Sequence, residues 1–260
     1  MYDLHAHILP GVDDGAKLPE DTVAMARAAA DSGTLAILAT PHRRDITENH
    51  SVLYVHDLLA EMNGLLRRDG IDLELLPGME NHLDLDLPGD LSNGRAMRMN
   101  GSRYALVELP FFGSPNYVED VLYQVQLQGV TPVLAHPERI EAFQRDPDLL
   151  ESFVERGMLS QVTAGSVVGR FGSKVRRLTH SLLRRRLVHV LSSDTHSPRG
   201  PRSPVLPPCL EAAAAIVGEE RARAMVVDTP KAILDDLLVE VETPIRDGGA
   251  RRWWRPWGGF

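Results

Sequence analysis

The stretch YDLHAHILPGVDDGA, residues 2–16, decides the fold. Its first seven residues have the composition of a buried strand, and PGVDDG after them has that of a loop. A strand turns alternate side chains to one face, so His5 and His7 point the same way. Two imidazoles converging from one strand can hold a metal ion. Alone, an H-x-H pair is equally well two ordinary hydrogen-bonded histidines, and the rest of the chain has to distinguish the two.

The pattern recurs. Strands are predicted at LAILATPH (35–42), LELLPGMENHL (73–83), RYALVELP (103–110), TPVLAHP (131–137), LSQVTAG (159–165) and VHVLSSDTH (188–196). Between them lie segments with apolar residues at i, i+3 and i+4, several closed by glycine, which predict helices. Pro147 is expected to break or restart the helix that follows the fifth strand. Strand–helix alternation implies parallel strands with crossover helices, and seven repeats imply an α/β fold closed as a distorted (β/α)7 TIM-like barrel. After the last strand come a proline-rich loop, SPRGPRSPVLPP, and two or three C-terminal helices within 209–236. One barrel domain is expected over 1–245. The basic aromatic tail 246–260, RDGGARRWWRPWGGF, is expected to be a flexible or wall-packed end, with a weak membrane or partner contact as its second reading.

Composition narrows the function. The 260 residues are 43% hydrophobic and carry a net charge of −8, which argues against a nucleic-acid surface. Any anionic substrate must then be met by local cations. The single cysteine, Cys209, excludes an intrachain disulfide and fits a reducing cytoplasm. No apolar run approaches the roughly 20 residues that span a bilayer, and no secretory signal pattern is visible.

Metal-type side chains fall in one place on this strand map. His5 and His7 end the first strand and Asp14 follows it. His42 ends the second, Glu80 lies near the end of the third, Glu108 ends the fourth and His136 the fifth. Asp194 and His196 end the seventh. All nine lie at carboxyl ends, the face that carries the active site of a β/α barrel, and the sixth strand adds none. Nine such groups gathered by chance would be costly to bury unpaired. His50, His56, His180 and His189 lie off this ring. His82, at i+2 from Glu80, is read as flanking the ligands, and Asp3 as an outer carboxylate orienting a ligand histidine.

The pieces DLHAHILPGVDDGA, ATPHRR, GMENHL, VELPF, LAHPER, QVTAGSVVGRFG and SDTHS span residues 1–200. In content and order the chain resembles the polymerase-and-histidinol-phosphatase (PHP) superfamily. Within it the likeness is to the bacterial manganese-dependent tyrosine phosphatases of capsule and exopolysaccharide loci. The resemblance implies three divalent ions: one on His5, His7, Glu80 and Asp194, a second on Glu80, Glu108 and His136, a third on Asp14, His42 and His196. The donors suit Mn²⁺, with Fe or Zn²⁺ as alternatives. It also implies phosphomonoester hydrolysis by a metal-bridged hydroxide, on phosphotyrosine in the tail of a membrane-linked tyrosine autokinase. A phenolate leaves readily, its pKa being about 10, so no general acid is assigned.

Arg139, three residues after His136, is expected to hold phosphate. The resemblance implies a second phosphate arginine shortly after the D-x-H motif; Arg199 and Arg202 are the candidates, neither at the family's spacing, with Arg202 preferred. Arg43 and Arg44 are expected to add positive potential at the cleft mouth. A small-molecule phosphatase of the histidinol-phosphate type is the main alternative. An amidohydrolase is disfavoured because no lysine lies on the predicted strands.

Overall fold

The computed structural model describes residues 1–113 and 115–245, so the 246–260 tail lies outside the described residues. Among the described residues eight short strands appear in chain order: β1 Tyr2–Ala6, β2 Ala36–Ala39, β3 Glu74–Pro77, β4 Asn81–His82, β5 Tyr104–Glu108, β6 Thr131–Ala135, β7 Leu159–Thr163 and β8 Val190–Ser192. Every pairing is parallel. One sheet runs β1-β2-β3 and the other β4-β5-β6-β7-β8.

Two seams join the sheets into a ring. At one, His42 bridges Glu80, with Arg43 N–H donating to the Glu80 carbonyl at 2.9 Å. At the other, Ala6 bridges Thr195, and Asp194 N–H donates to the His5 carbonyl at 2.9 Å. Both seams lie at or near strand ends, among the polar residues singled out by the sequence.

The third predicted strand, 73–83, is two strands rather than one. The break falls at Gly78, where an added Cβ would lie 2.7 Å from Leu38 Cγ. The Leu38 side chain crosses where a regular residue would stand, so the chain kinks and resumes at Asn81. Asn81 holds the kink by donating to the carbonyls of Met79, Met97 and Leu106.

Strand alternation builds the interior. On β5, Tyr104 and Leu106 join Leu4, Leu38, Val133, Leu159 and Val190 in a cluster drawn from six strands, which only the inside of the ring allows. Ala105 and Val107 face the larger cluster beneath the helices. The same alternation carries Glu108 to the inner face at the open end. The other end is closed by helix Asp228–Leu234, whose Ile233 and Leu234 pack on the interior cluster. Pro147 restarts the helix as expected: Glu141–Arg145 ends, Asp146 accepts from Asp148 N–H, and Pro147–Glu155 begins. Among the described residues no helix is long and apolar enough to cross a membrane.

Candidate metal centre

The loop after β1 folds back on its own strand. Ala16 N–H donates to the His7 carbonyl at 3.0 Å, and a Cβ on Gly15 would fall 2.0 Å from that oxygen. Only glycine fits, and the close approach delivers Asp13 and Asp14 to the ring. Gly15→Ala must push the loop off His7. We expect a stability loss of about 1–3 kcal/mol, the range for overpacking, together with reduced metal content, checked by thermal unfolding and elemental analysis. Wild-type values for both would show that the loop yields without moving its aspartates.

Glu80 lies at the middle of the site, completely buried. Its Oε1 is 2.9 Å from His136 Nε2 and 3.3 Å from His5 Nε2; its Oε2 is 2.9 Å from His42 Nδ1 and 3.3 Å from His7 Nε2. Asp14 approaches His196 Nε2 at 3.2 Å and His42 Nε2 at 3.4 Å. Glu108 lies 3.5 Å from His136 Nε2. Asp194 lies 3.7 Å from Nε2 of both His5 and His7. All nine side chains named from the sequence are therefore linked, each to at least one other, through Glu80, Asp14, Glu108 or Asp194. Three overlapping sets bring candidate ligand atoms within 4.8 Å: His7, Asp14, His42 and His196; His5, His7 and Glu80; His42, Glu80 and Glu108.

Two of the nine have strained backbones. His136 has φ +33° and Asp194 φ +51°, a region that non-glycine residues seldom enter. Such strain persists where the surroundings over-determine it. His136 N–H donates to the Gln161 carbonyl at 2.7 Å, and Asp194 N–H to His5 as above.

Two residues that the sequence did not single out, Asp13 and Gln161, aim imidazoles, and the Asp194 backbone aims a third. His7 Nδ1 is 2.7 Å from Asp13 Oδ2, and His5 Nδ1 is 2.8 Å from Gln161 Oε1. His196 Nδ1 is 3.0 Å from the Asp194 carbonyl. Each oxygen accepts the Nδ1 proton and leaves Nε2 facing inward, which is how outer partners orient ligand histidines. Gln161 stands on the sixth predicted strand, so that strand aims a ligand instead of supplying one.

The field at this end of the barrel is strongly negative. Burial alone would lower the His7 pKa, but Asp13 and Glu80 outweigh it and push it up to about 9. Partial burial would likewise lower His42, yet Asp14 and Glu80 push it up to about 11. Glu80 stays well below the usual carboxylate range despite its burial, because His5, His136 and His42 surround it. Glu108 rises to about 7, through burial and the Glu80 charge beside it. Protons and divalent cations compete for the same nitrogen and oxygen atoms. A site that draws protons this firmly onto imidazole, with a mixed nitrogen and oxygen donor set, fits first-row divalent metals.

Some expectations need correction. Arg43 does not face the cleft mouth. It is buried, paired with Asp84 and Asp90, and donates to the His82 carbonyl at 3.2 Å. Both carboxylates come from the segment after β4, which local sequence does not place. Arg44 is exposed beside the cleft, 3.3 Å from His82 Nε2. His82 pairs with Asp84 at 2.8 Å. Asp3 accepts from the backbone N–H groups of Ser193 and His5, so it pins strand ends and orients no ligand ring. Arg139 reaches Asp194 Oδ2 and Arg202 reaches Asp194 Oδ1 at 2.8 Å. Arg199 instead lines a surface groove with Val23, Arg27 and Asp31.

A ring of parallel strands with imidazoles, carboxylates and two arginines gathered at its carboxyl end defines a candidate metal-dependent hydrolase on a β/α barrel. Residues 1–235 match the model of the CpsB/CapC family of capsular polysaccharide synthesis, and the chain belongs to that family. It is 38% identical over 197 residues to the tyrosine-protein phosphatase YwqE of Bacillus subtilis, covering 76% of this chain and 78% of that protein. It is 28% identical over 244 residues to the tyrosine-protein phosphatase CpsB of Streptococcus pneumoniae, covering 92% and 100%. A crystal structure from work on YwqE and CpsB, described as unique metal-dependent tyrosine phosphatases, superposes with TM-score 0.88 at 33% identity over 94% of this chain and 98% of that one.

Proposed function

We propose that this protein is a metal-dependent phosphatase that removes phosphate from phosphotyrosine in a protein tail. The observation that carries the proposal is the convergence of nine metal-type ligands and two arginines on one barrel mouth. The naming of the family's curated relatives supports it.

The ligand groups proposed are those the family resemblance implies: His5, His7, Glu80 and Asp194; Glu80, Glu108 and His136; Asp14, His42 and His196. Three ions, most simply Mn²⁺, are assigned to them, with Fe and Zn²⁺ meeting the same donor chemistry. Bound there, such ions would supply Lewis acidity and activate water at neutral pH. The chain's own residues do the rest. Arg139 and Arg202 meet Asp194 from two sides, at the edge of the ring where an incoming phosphate is also received. Their guanidinium groups offer the paired donors that phosphate oxygens take. A cleft of about 410 Å³ opens beside His42 and Glu108, walled by Leu83, Leu109, Phe111 and Tyr117. Its apolar wall suits the ring of a phosphotyrosine better than the polar body of an alkyl phosphate. The proposed substrate is the tyrosine-bearing tail of a membrane-linked autokinase. A cytoplasmic enzyme fits the lone Cys209, which is buried.

The test is kcat/KM on a phosphotyrosyl peptide against a small alkyl phosphate of the histidinol-phosphate type. The peptide should win, and a clear preference for the alkyl ester would favour the small-molecule reading. Arg139→Ala should cost roughly 2–4 kcal/mol in kcat/KM, the range for losing a charged partner at a preorganised site, with metal content unchanged. Arg202→Ala should act in the same direction and Arg199→Ala much less.

A further inference from the structure

The motif QVTAGSVVGRFG supplies no ligand, its Gln161 only aiming His5, yet its later residues lie against both arginines. Phe171 places its ring centroid 4.8 Å from the Arg139 guanidinium carbon, and Phe111 does the same from another side at 5.2 Å. Phe111 is itself stacked on His136, centroids 5.4 Å apart and planes 16° from parallel. Arg170, next to Phe171, donates to the Pro201 carbonyl at 3.1 Å, immediately before Arg202.

The segment is built to hold these positions. Gly165 leaves room for the turn: a Cβ there would lie 3.0 Å from Arg170 Cδ and 3.3 Å from Phe171 Cε2. Gly169 and Gly172 take φ +85° and +92°, conformations that other residues resist. Arg170 N–H closes back on the Gly165 carbonyl at 2.9 Å. Glu138, the neighbour of Arg139, is completely buried. Its Oε1 accepts from Thr163 N–H at 3.0 Å and from Ser166 Oγ at 2.7 Å. The turn carrying Arg139 and the segment carrying Phe171 are thus fastened together at their base and meet again through the guanidinium.

We propose that residues 163–172 form a bracket that positions the phosphate-binding arginines, with Phe171 and Phe111 holding the Arg139 guanidinium and Arg170 holding the backbone beside Arg202. The proposal rests on the phosphatase assignment of Arg139. A long arginine side chain loses much rotamer freedom when it must meet an anion in one geometry. Flanking rings restrict it beforehand, and they leave the N–H edge free, because a ring face occupies only the plane of the guanidinium. Phe171 touches neither substrate nor ligand in this scheme. It acts through Arg139.

The experiment is a double-mutant cycle on the metal-loaded full chain. Phe171→Leu keeps bulk without the aromatic face, and Phe171→Tyr keeps the face. Hydrolysis of a phosphotyrosyl peptide and binding of inorganic phosphate are both measured. Phe171→Leu should lower kcat/KM and phosphate affinity by about three- to thirty-fold, the range of a cation–π contact at a partly desolvated site, with metal content unchanged. Phe171→Tyr should restore most of the loss. In an Arg139→Ala background, Phe171→Leu should have no further effect. Additive losses, or Tyr as damaging as Leu, would overturn the bracket. If the wild-type protein binds phosphate but fails to hydrolyse the peptide, the proposed function falls, and the phosphate-binding cycle still decides the bracket.

Discussion

Exhaustive chelation of this protein should abolish its phosphatase activity, and Mn²⁺ should restore it. The expectation follows from what surrounds the barrel mouth. Asp14, Glu80, Glu108 and Asp194 converge there with five imidazoles, and all but Asp14 and His42 are largely buried. Without a dication the carboxylates draw protons onto His7 and His42 instead. A site in that state retains a shape but has lost its Lewis acid, and the arginines alone give little rate. The fold should survive, because the interior cluster and the helix Asp228–Leu234 beneath it share no side chain with the centre. The apoprotein should therefore keep its secondary structure by circular dichroism, while its melting temperature falls because stability drops by the linkage contribution of the lost ions, about 2.7 kcal/mol per site at a hundredfold excess over Kd. Full turnover in a preparation that elemental analysis shows to be metal-free would remove the proposed function altogether.

The ring was legible because barrels put chemistry at strand ends. Once the strand starts were placed, His5, His7, His42, Glu80, Glu108, His136, Asp194 and His196 needed no further information to be grouped, and Asp14 followed from the loop after β1. What orients them was not legible in the same way. Gln161 meets His5 from a strand that is not its sheet neighbour, and that contact exists only once the ring is closed. Asp13 and Asp14 are adjacent in the chain, and composition does not say which one faces the His7 Nδ1; the close approach of Gly15 settles it. Arg43 misled because charge was weighed without its partners. Asp84 and Asp90 lie some forty residues on in sequence and turn the arginine from a surface cation into a buried brace. The third predicted strand failed at its middle for a steric reason, the Leu38 side chain over Gly78, that no propensity records. The aromatic bracket is the same kind of omission: Phe111 and Phe171 lie on different loops and meet only through Arg139.

Glu80→Gln should be the most damaging single substitution that leaves the shape of the centre intact. The amide replaces the carboxylate nearly atom for atom, so the Leu38–Gly78 kink and the His42 seam have no steric reason to move. What goes is the negative charge that four imidazoles share, His5 and His136 at one oxygen, His7 and His42 at the other. An amide also presents an N–H₂ on one side, which opposes any imidazole N–H or cation that faced that oxygen. We expect loss of at least one bound metal and a fall in kcat of more than about 100-fold, in line with the loss of a shared ligand. His82→Ala is the matched comparison two residues away. Its ring pairs with Asp84 at the cleft wall and does not join the nine, so its effect should be far smaller. Metal stoichiometry and kcat, measured on both variants, separate the alternatives. Equal damage from the two would mean that Glu80 is no more central than its neighbour and that the ligand assignment between β3 and β4 is wrong, whereas metal loss confined to Glu80→Gln would place the shared carboxylate where the geometry puts it, between the two halves of the ring.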